Sequence, residues 1–145
     1  MELEIFLMFF LCGCLNGDPG RSQARQKRGI FELPKAIECG TGRAAVLYLN
    51  YGCYCGLGGK GRPVDYTDWC CYKHDSCYGI AERCGCHPHF NSYKWKCVNR
   101  TVICEPTNDV CQNRACKCDK DLARCLQKAP YKVKHFWYPD SSCVA

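Results

Sequence analysis

The chain has 145 residues, enough for one domain, with 17 cysteines and a formal net charge of +6. That many cysteines in so short a chain read as a disulfide scaffold, which argues against a reducing cytosolic setting and for secretion. The positive charge is mild and carries no arginine stripe or nucleic-acid motif, so nucleic acid is not an expected partner.

Ile5 to Leu15 is an almost unbroken apolar run. It is too short to span a bilayer and fits the core of a signal peptide covering residues 1–17, although Glu2 and Glu4 stand where a positive charge is usual. Residues 18–28 are polar and lack large apolar side chains, so they cannot pack a core. They end in Lys27-Arg28, directly before apolar Gly29-Ile30-Phe31. A dibasic pair at such a boundary reads as a processing site, which makes 18–28 a propeptide and 29–145 the working domain. Losing four basic and three acidic residues leaves that domain near +5.

Apolar Ile30, Leu33 and Ile37 form a helical stripe, with Pro34 tolerable only near a helix start. Next comes Tyr51-Gly52-Cys53-Tyr54-Cys55-Gly56-Leu57-Gly58-Gly59-Lys60-Gly61. Its glycines permit backbone conformations that turn carbonyl oxygens inward. On its own, such a loop reads as a tight turn. It is followed by Cys70-Cys71-Tyr72-Lys73-His74-Asp75-Ser76-Cys77-Tyr78, with a histidine and a carboxylate side by side. A histidine accepts a proton near neutral pH. A carboxylate beside a loop of free carbonyls can hold a hard cation such as calcium. A base next to a metal-bound electrophile is equipment for hydrolysing an ester with water.

Cys70, Cys77 and Cys84 are seven apart, and so are Cys111, Cys118 and Cys125. Seven residues are close to two helical turns, so each trio shares a helix face. Antiparallel helices would pair Cys70 with Cys125 and Cys77 with Cys118. His74 lies on the bridged face, opposite residue 121, where Asp119 and Asp121 are both within reach of its ring; register slightly favours Asp121. Asp75 points about 100° away, toward the side of Cys71 and the glycine loop. Fifteen cysteines follow Arg28, an odd number, so one is free or pairs between chains.

Tyr93 to Val102 reads as a small hairpin. Asn99-Arg100-Thr101 is a glycosylation sequon, which places Asn99 on an exposed turn. The tail from Lys128 to Asp140 mixes aromatics with lysines, and packing against the domain and membrane contact are both open readings of it.

The glycine loop and the Cys-Cys-x-x-His-Asp-x-Cys segment resemble the secreted phospholipase A2 family, over the whole of Gly29 to Ala145. The loop sequence and the basic propeptide look like group X members, while Cys39 with Cys97 and Cys53 with Cys143 match pancreatic-type group I bridges. The resemblance implies a mainly α, disulfide-rich fold: two long antiparallel helices, an N-terminal helix, a calcium loop and a small β-wing. It implies calcium-dependent hydrolysis of the sn-2 ester of glycerophospholipids at a membrane surface or micelle, by an extracellular enzyme, with a cell-surface receptor as a further partner. It assigns His74 as the base that activates water, Asp119 as its orienting carboxylate, and Tyr78 and Tyr93 as supports of Asp119. It gives calcium the Asp75 carboxylate and the carbonyls of Tyr54, Gly56 and Gly58. Ile30, Leu33, Ile37 and Tyr48 match positions that line the family's substrate channel. The family pattern pairs Cys86 with Cys111, whereas helix register favours Cys84 with Cys111. A catalytically silent receptor-binding or matrix protein on the same scaffold is the alternative, although inactive relatives usually replace the histidine or the calcium-binding aspartate and both remain here.

Overall fold

The computed structural model describes residues 29–56 and 58–144; the expected signal peptide (1–17) and propeptide (18–28) lie outside them. Helix α1 spans Gly29–Thr41, α2 Tyr66–Arg83 and α3 Val110–Lys128. Strands β1 (Trp95–Val98) and β2 (Thr101–Cys104) form an antiparallel pair between α2 and α3. Short 3-10 turns lie at Ala45–Tyr48, Val133–His135 and Asp140–Ser142.

The two long helices begin on aspartate caps. The Asp65 side chain accepts from the Asp68 N–H, and the Asp109 side chain from the Gln112 N–H. Each satisfies a backbone donor that the first helical turn leaves unpaired. Bridges Cys70–Cys125 and Cys77–Cys118 staple α2 against α3 in the antiparallel register expected from the cysteine spacing. Each such bridge contributes about 2–4 kcal/mol by restricting the unfolded chain. The others are Cys39–Cys97, Cys53–Cys143, Cys55–Cys71, Cys86–Cys111 and Cys104–Cys116. Cys84, at the C-cap of α2, is disulfide-bonded as well.

Helix register fails at Cys84 because α2 has already ended. Gly85 takes φ +86°, its N–H bonds the Glu82 carbonyl, and the Cys86 N–H reaches back to Ala81. These two bonds close a Schellman turn, which swings Cys86 rather than Cys84 toward Cys111. The hairpin also differs from expectation, running 95–104 instead of 93–102. Its turn falls on Asn99 and Arg100, at φ +50° and +60°, the left-handed pair that a two-residue hairpin loop needs.

α1 crosses α3 at Gly40, where a Cβ would stand 2.7 Å from the Ala123 carbonyl oxygen. That close approach brings Ile37, Tyr48, Tyr51, Leu122 and Leu126 into one buried cluster, and Ala36, Tyr93, Val102, Ala115 and Ala123 into a second. Burying a side chain such as Leu126 contributes about 1.5–3 kcal/mol. The tail packs on the domain. The Tyr131 hydroxyl donates to the Leu47 carbonyl, the Gly52 N–H to the His135 carbonyl and the Tyr138 N–H to the Asn50 carbonyl. Trp137 alone of its three consecutive aromatics is exposed. Among the described residues, no helix is long and apolar enough to cross a membrane.

Candidate active site

A cavity of about 400 Å³ opens between α1, the Ala45–Tyr48 turn, the glycine loop and α2. Its wall is mostly apolar: Leu33, Pro34 and Ile37 from α1, then Val46, Tyr48 and Leu49, and Leu122 and Leu126 from α3. It is also lined by His74, Asp75, Tyr78 and His89, together with Tyr54 and Gly56 of the loop. Leu33, Ile37 and Tyr48 therefore stand along one wall. Ile30 lies in α1, but its side chain is outside the described residues.

His74 is buried in α2, with Nε2 2.8 Å from Asp119 Oδ1. The carboxylate accepts, so the proton on Nε2 is fixed and Nδ1 is left as the basic nitrogen. No described residue hydrogen-bonds Nδ1. Asp119 lies on the buried face of α3 and is 1% exposed. Asp121, the other carboxylate within sequence reach, sits on the outer face and pairs with Lys117. Two residues along a helix is about 200° of rotation, so only one of the two can face α2.

Asp119 takes two more hydrogen bonds. The Tyr78 hydroxyl donates to Oδ1 at 2.7 Å and the Tyr93 hydroxyl to Oδ2 at 2.5 Å. Burial, the Asp119 charge and these same bonds push both tyrosines far above their ordinary range, so they stay neutral donors. A carboxylate out of water needs such donors. Tyr78, like His74, comes from α2 and Tyr93 from just before β1, so two separate segments converge on this one side chain of α3.

Asp75 follows His74 but faces the loop. Cys55–Cys71 pulls the loop onto that side of α2. A Cβ on Gly59 would lie 3.2 Å from Asp75 Oδ2, so the loop backbone rests close to the carboxylate. No hydrogen bond from a described residue reaches that carboxylate. Burial pushes it up to about 6, with the His74 charge opposing and the Asp68 charge adding. A half-buried carboxyl raised in this way is short of positive charge. Among the described residues, no three His, Cys, Asp or Glu side chains converge, so a cation here would be held mainly by backbone oxygens. One carboxylate plus loop carbonyls is a hard, all-oxygen donor set, which fits calcium. Gly56 takes φ +104° and Gly58 φ +74°. Gly58 is exposed and outside the cavity wall, and Leu57 between them is not among the described residues.

Two residues of this region stand outside the sequence motifs. Asp68 is fully buried and accepts from Cys53, Tyr54 and Val64 N–H groups. His89 stacks edge-on against Tyr78, ring centroids 4.9 Å apart, at the cavity rim. Asp68 falls one turn before Cys71, at i−3, a spacing that could have flagged it. His89 lies in an irregular segment where no periodicity helps.

The site thus belongs to the class of disulfide-stapled helical domains that seat a carboxylate-held histidine on the wall of an apolar cavity. A family model described as phospholipase A2 matches residues 30–136. Group 10 secretory phospholipase A2 of Homo sapiens is 44% identical over 128 residues, covering 88% of this chain and 78% of its own length. Acidic phospholipase A2 of Micrurus dumerilii is 40% identical over 115 residues, covering 79% and 98%. Group IIE secretory phospholipase A2 of Homo sapiens is 43% identical over 117 residues, covering 79% and 82%. The chain belongs to the phospholipase A2 family.

Proposed function

We propose that this protein is a secreted, calcium-dependent phospholipase A2. It hydrolyses the sn-2 ester of glycerophospholipids at lipid interfaces, releasing a fatty acid and a lysophospholipid. The observation that carries the reading is the His74–Asp119 bond at the wall of an apolar cavity, with the under-compensated Asp75 carboxylate beside it.

His74 Nδ1 takes a proton from water as the water oxygen adds to the ester carbonyl. Asp119 holds the ring in the tautomer that leaves Nδ1 basic and steadies the imidazolium that forms. Tyr78 and Tyr93 hold Asp119. When the carbonyl re-forms, the ester C–O bond breaks and His74 returns its proton to the departing alkoxide. The Gly56 N–H donates to the oxygen on which negative charge develops. The Asp75 carboxylate and the carbonyls of Tyr54, Gly56 and Gly58 would hold calcium. Bound there, calcium supplies a Lewis acid for the carbonyl. Leu33, Ile37 and Tyr48, with Ile30, receive the acyl chain, and their apolar wall keeps bulk water from the reacting bond. Asn99, exposed at the hairpin turn, is the glycosylation site in this reading.

Fatty-acid release from phospholipid vesicles, with calcium and with excess chelator, tests the proposal. His74→Gln should lower turnover by at least about 10²-fold, since general-base catalysis contributes on that order, with the thermal unfolding profile kept. Asp75→Lys should abolish both calcium binding and release. Full release in chelator, or near-normal release by His74→Gln, would overturn the reading. A protein that released nothing under any condition yet bound a receptor would be the silent scaffold instead.

A further inference from the structure

Two aspartates three residues apart divide their work at the start of α2. Asp65 caps the helix with Oδ1, while its Oδ2 accepts from the Tyr51 hydroxyl and from His135. Asp68 is not needed for the cap. It is 0% exposed, and its carboxylate turns out of the helix toward the glycine loop. Oδ2 accepts the Cys53 N–H at 2.8 Å and the Val64 N–H at 2.9 Å, and Oδ1 accepts the Tyr54 N–H at 2.7 Å. Cys53 and Tyr54 enter the loop and Val64 leaves it, so one side chain ties both ends. Gly52 makes room for it. A Cβ there would lie 2.6 Å from Asp68 Oδ2, and the backbone sits at φ +61°.

No ion pair between described residues includes Asp68. A buried carboxylate without a cation is costly, and three charge-assisted N–H bonds offset only part of that cost. What remains is a negative charge that favours any cation placed nearby. Asp68 is close enough for its charge to act on Asp75, yet it takes no part in the cavity wall.

We propose that Asp68 is a positioning residue of the calcium site. It clamps the two successive peptide units that lead into Tyr54, so that the Tyr54 carbonyl is presented to the ion before the ion arrives. It also supplies a negative charge that is not itself a ligand. The inference rests on the calcium role proposed above for Tyr54 and Asp75.

The test is calcium binding by titration calorimetry, on the wild-type protein and on Asp68→Asn, Asp68→Glu and Asp65→Asn. Support groups behind metal ligands typically change affinity by about 10- to 100-fold. Asp68→Asn should weaken calcium binding by that factor, and turnover on vesicles should return to within about twofold of wild type once calcium saturates. Asp68→Glu keeps the charge but displaces the clamp, so its loss should be smaller; it also serves as the test if Asp68→Asn does not fold. Asp65→Asn should lower the melting temperature and leave calcium affinity unchanged. Calcium affinity that is unchanged in whichever Asp68 variants fold would leave Asp68 a structural residue only and overturn the inference. Wild-type protein that binds no calcium would overturn the proposed function, and this inference with it.

Discussion

Trp95 Nε1 donates a 2.6 Å hydrogen bond to the Glu32 carboxylate, joining β1 to the first turns of α1. The Cys39–Cys97 bridge joins the same two elements further along. α1 carries Leu33 and Ile37 of the cavity wall, so the β-wing braces one side of the proposed substrate channel. Hydrogen bonds to charged groups contribute about 1.5–3 kcal/mol when buried, and this pair is partly exposed. Glu32→Ala should therefore cost about 1 kcal/mol in urea unfolding, and Glu32→Gln less. A change within 0.3 kcal/mol for Glu32→Ala, below the roughly 0.5–1.5 kcal/mol of an ordinary hydrogen bond, would show that the disulfide alone holds the wing.

Asp119 depends on donors from two tyrosines. Tyr78→Phe and Tyr93→Phe each remove one buried hydroxyl without opening a cavity, and each should destabilise the fold by about 1–2 kcal/mol. Because both donors serve one carboxylate, the double variant should depart from the sum of the singles. Each single variant should keep more activity than His74→Gln, since the His74–Asp119 bond survives. Denaturant unfolding and vesicle hydrolysis read the two effects separately.

Asp65 is an acid-sensitive point of the fold. Burial by itself would raise its carboxyl. Hydrogen bonds from the Tyr51 hydroxyl, the Asp68 N–H and His135, together with the His135 charge, outweigh that and hold it below its ordinary value. A carboxyl depressed in the folded state gives stability that is fully present above the unfolded value, near 3.9, and lost as pH falls through the folded one. The stability gap between wild type and Asp65→Asn should be widest above about pH 5 and close toward pH 2. A gap independent of pH across that range would contradict this account.

α1 begins at Gly29, where the expected cleavage after Lys27-Arg28 would leave a free ammonium. The uncut chain places Arg21, Arg25, Lys27 and Arg28 before a helix N-terminus that is already positive. We predict that an uncleavable Arg28→Gln precursor hydrolyses vesicles more slowly than the mature chain, with a smaller difference on monomeric short-chain lipid. Equal vesicle rates would reduce Lys27-Arg28 to an ordinary linker.

Much of this molecule was legible before any coordinates. Cysteines seven apart are two helical turns apart, so for helices taken as antiparallel the staples Cys70–Cys125 and Cys77–Cys118 followed from helix geometry, and the structure has both. The loop glycines and the adjacent His74 and Asp75 marked the candidate site, because the chemistry proposed for them is written in residue type and spacing. Other features depend on where the chain goes after a helix ends or on which side of a helix a partner lies. Register left Asp119 and Asp121 both open; the buried face of α3 chose Asp119, since the other residue is rotated into solvent. Cys86 won over Cys84 because a Schellman turn breaks the helical period there. The partner of Glu32 is Trp95, 63 residues on, a pairing that only the folded chain makes. Helix spacing sets Asp68 on the side of Cys71, but its partners are backbone N–H groups, which every residue but proline carries, and only the folded chain brings Cys53, Tyr54 and Val64 around one carboxylate.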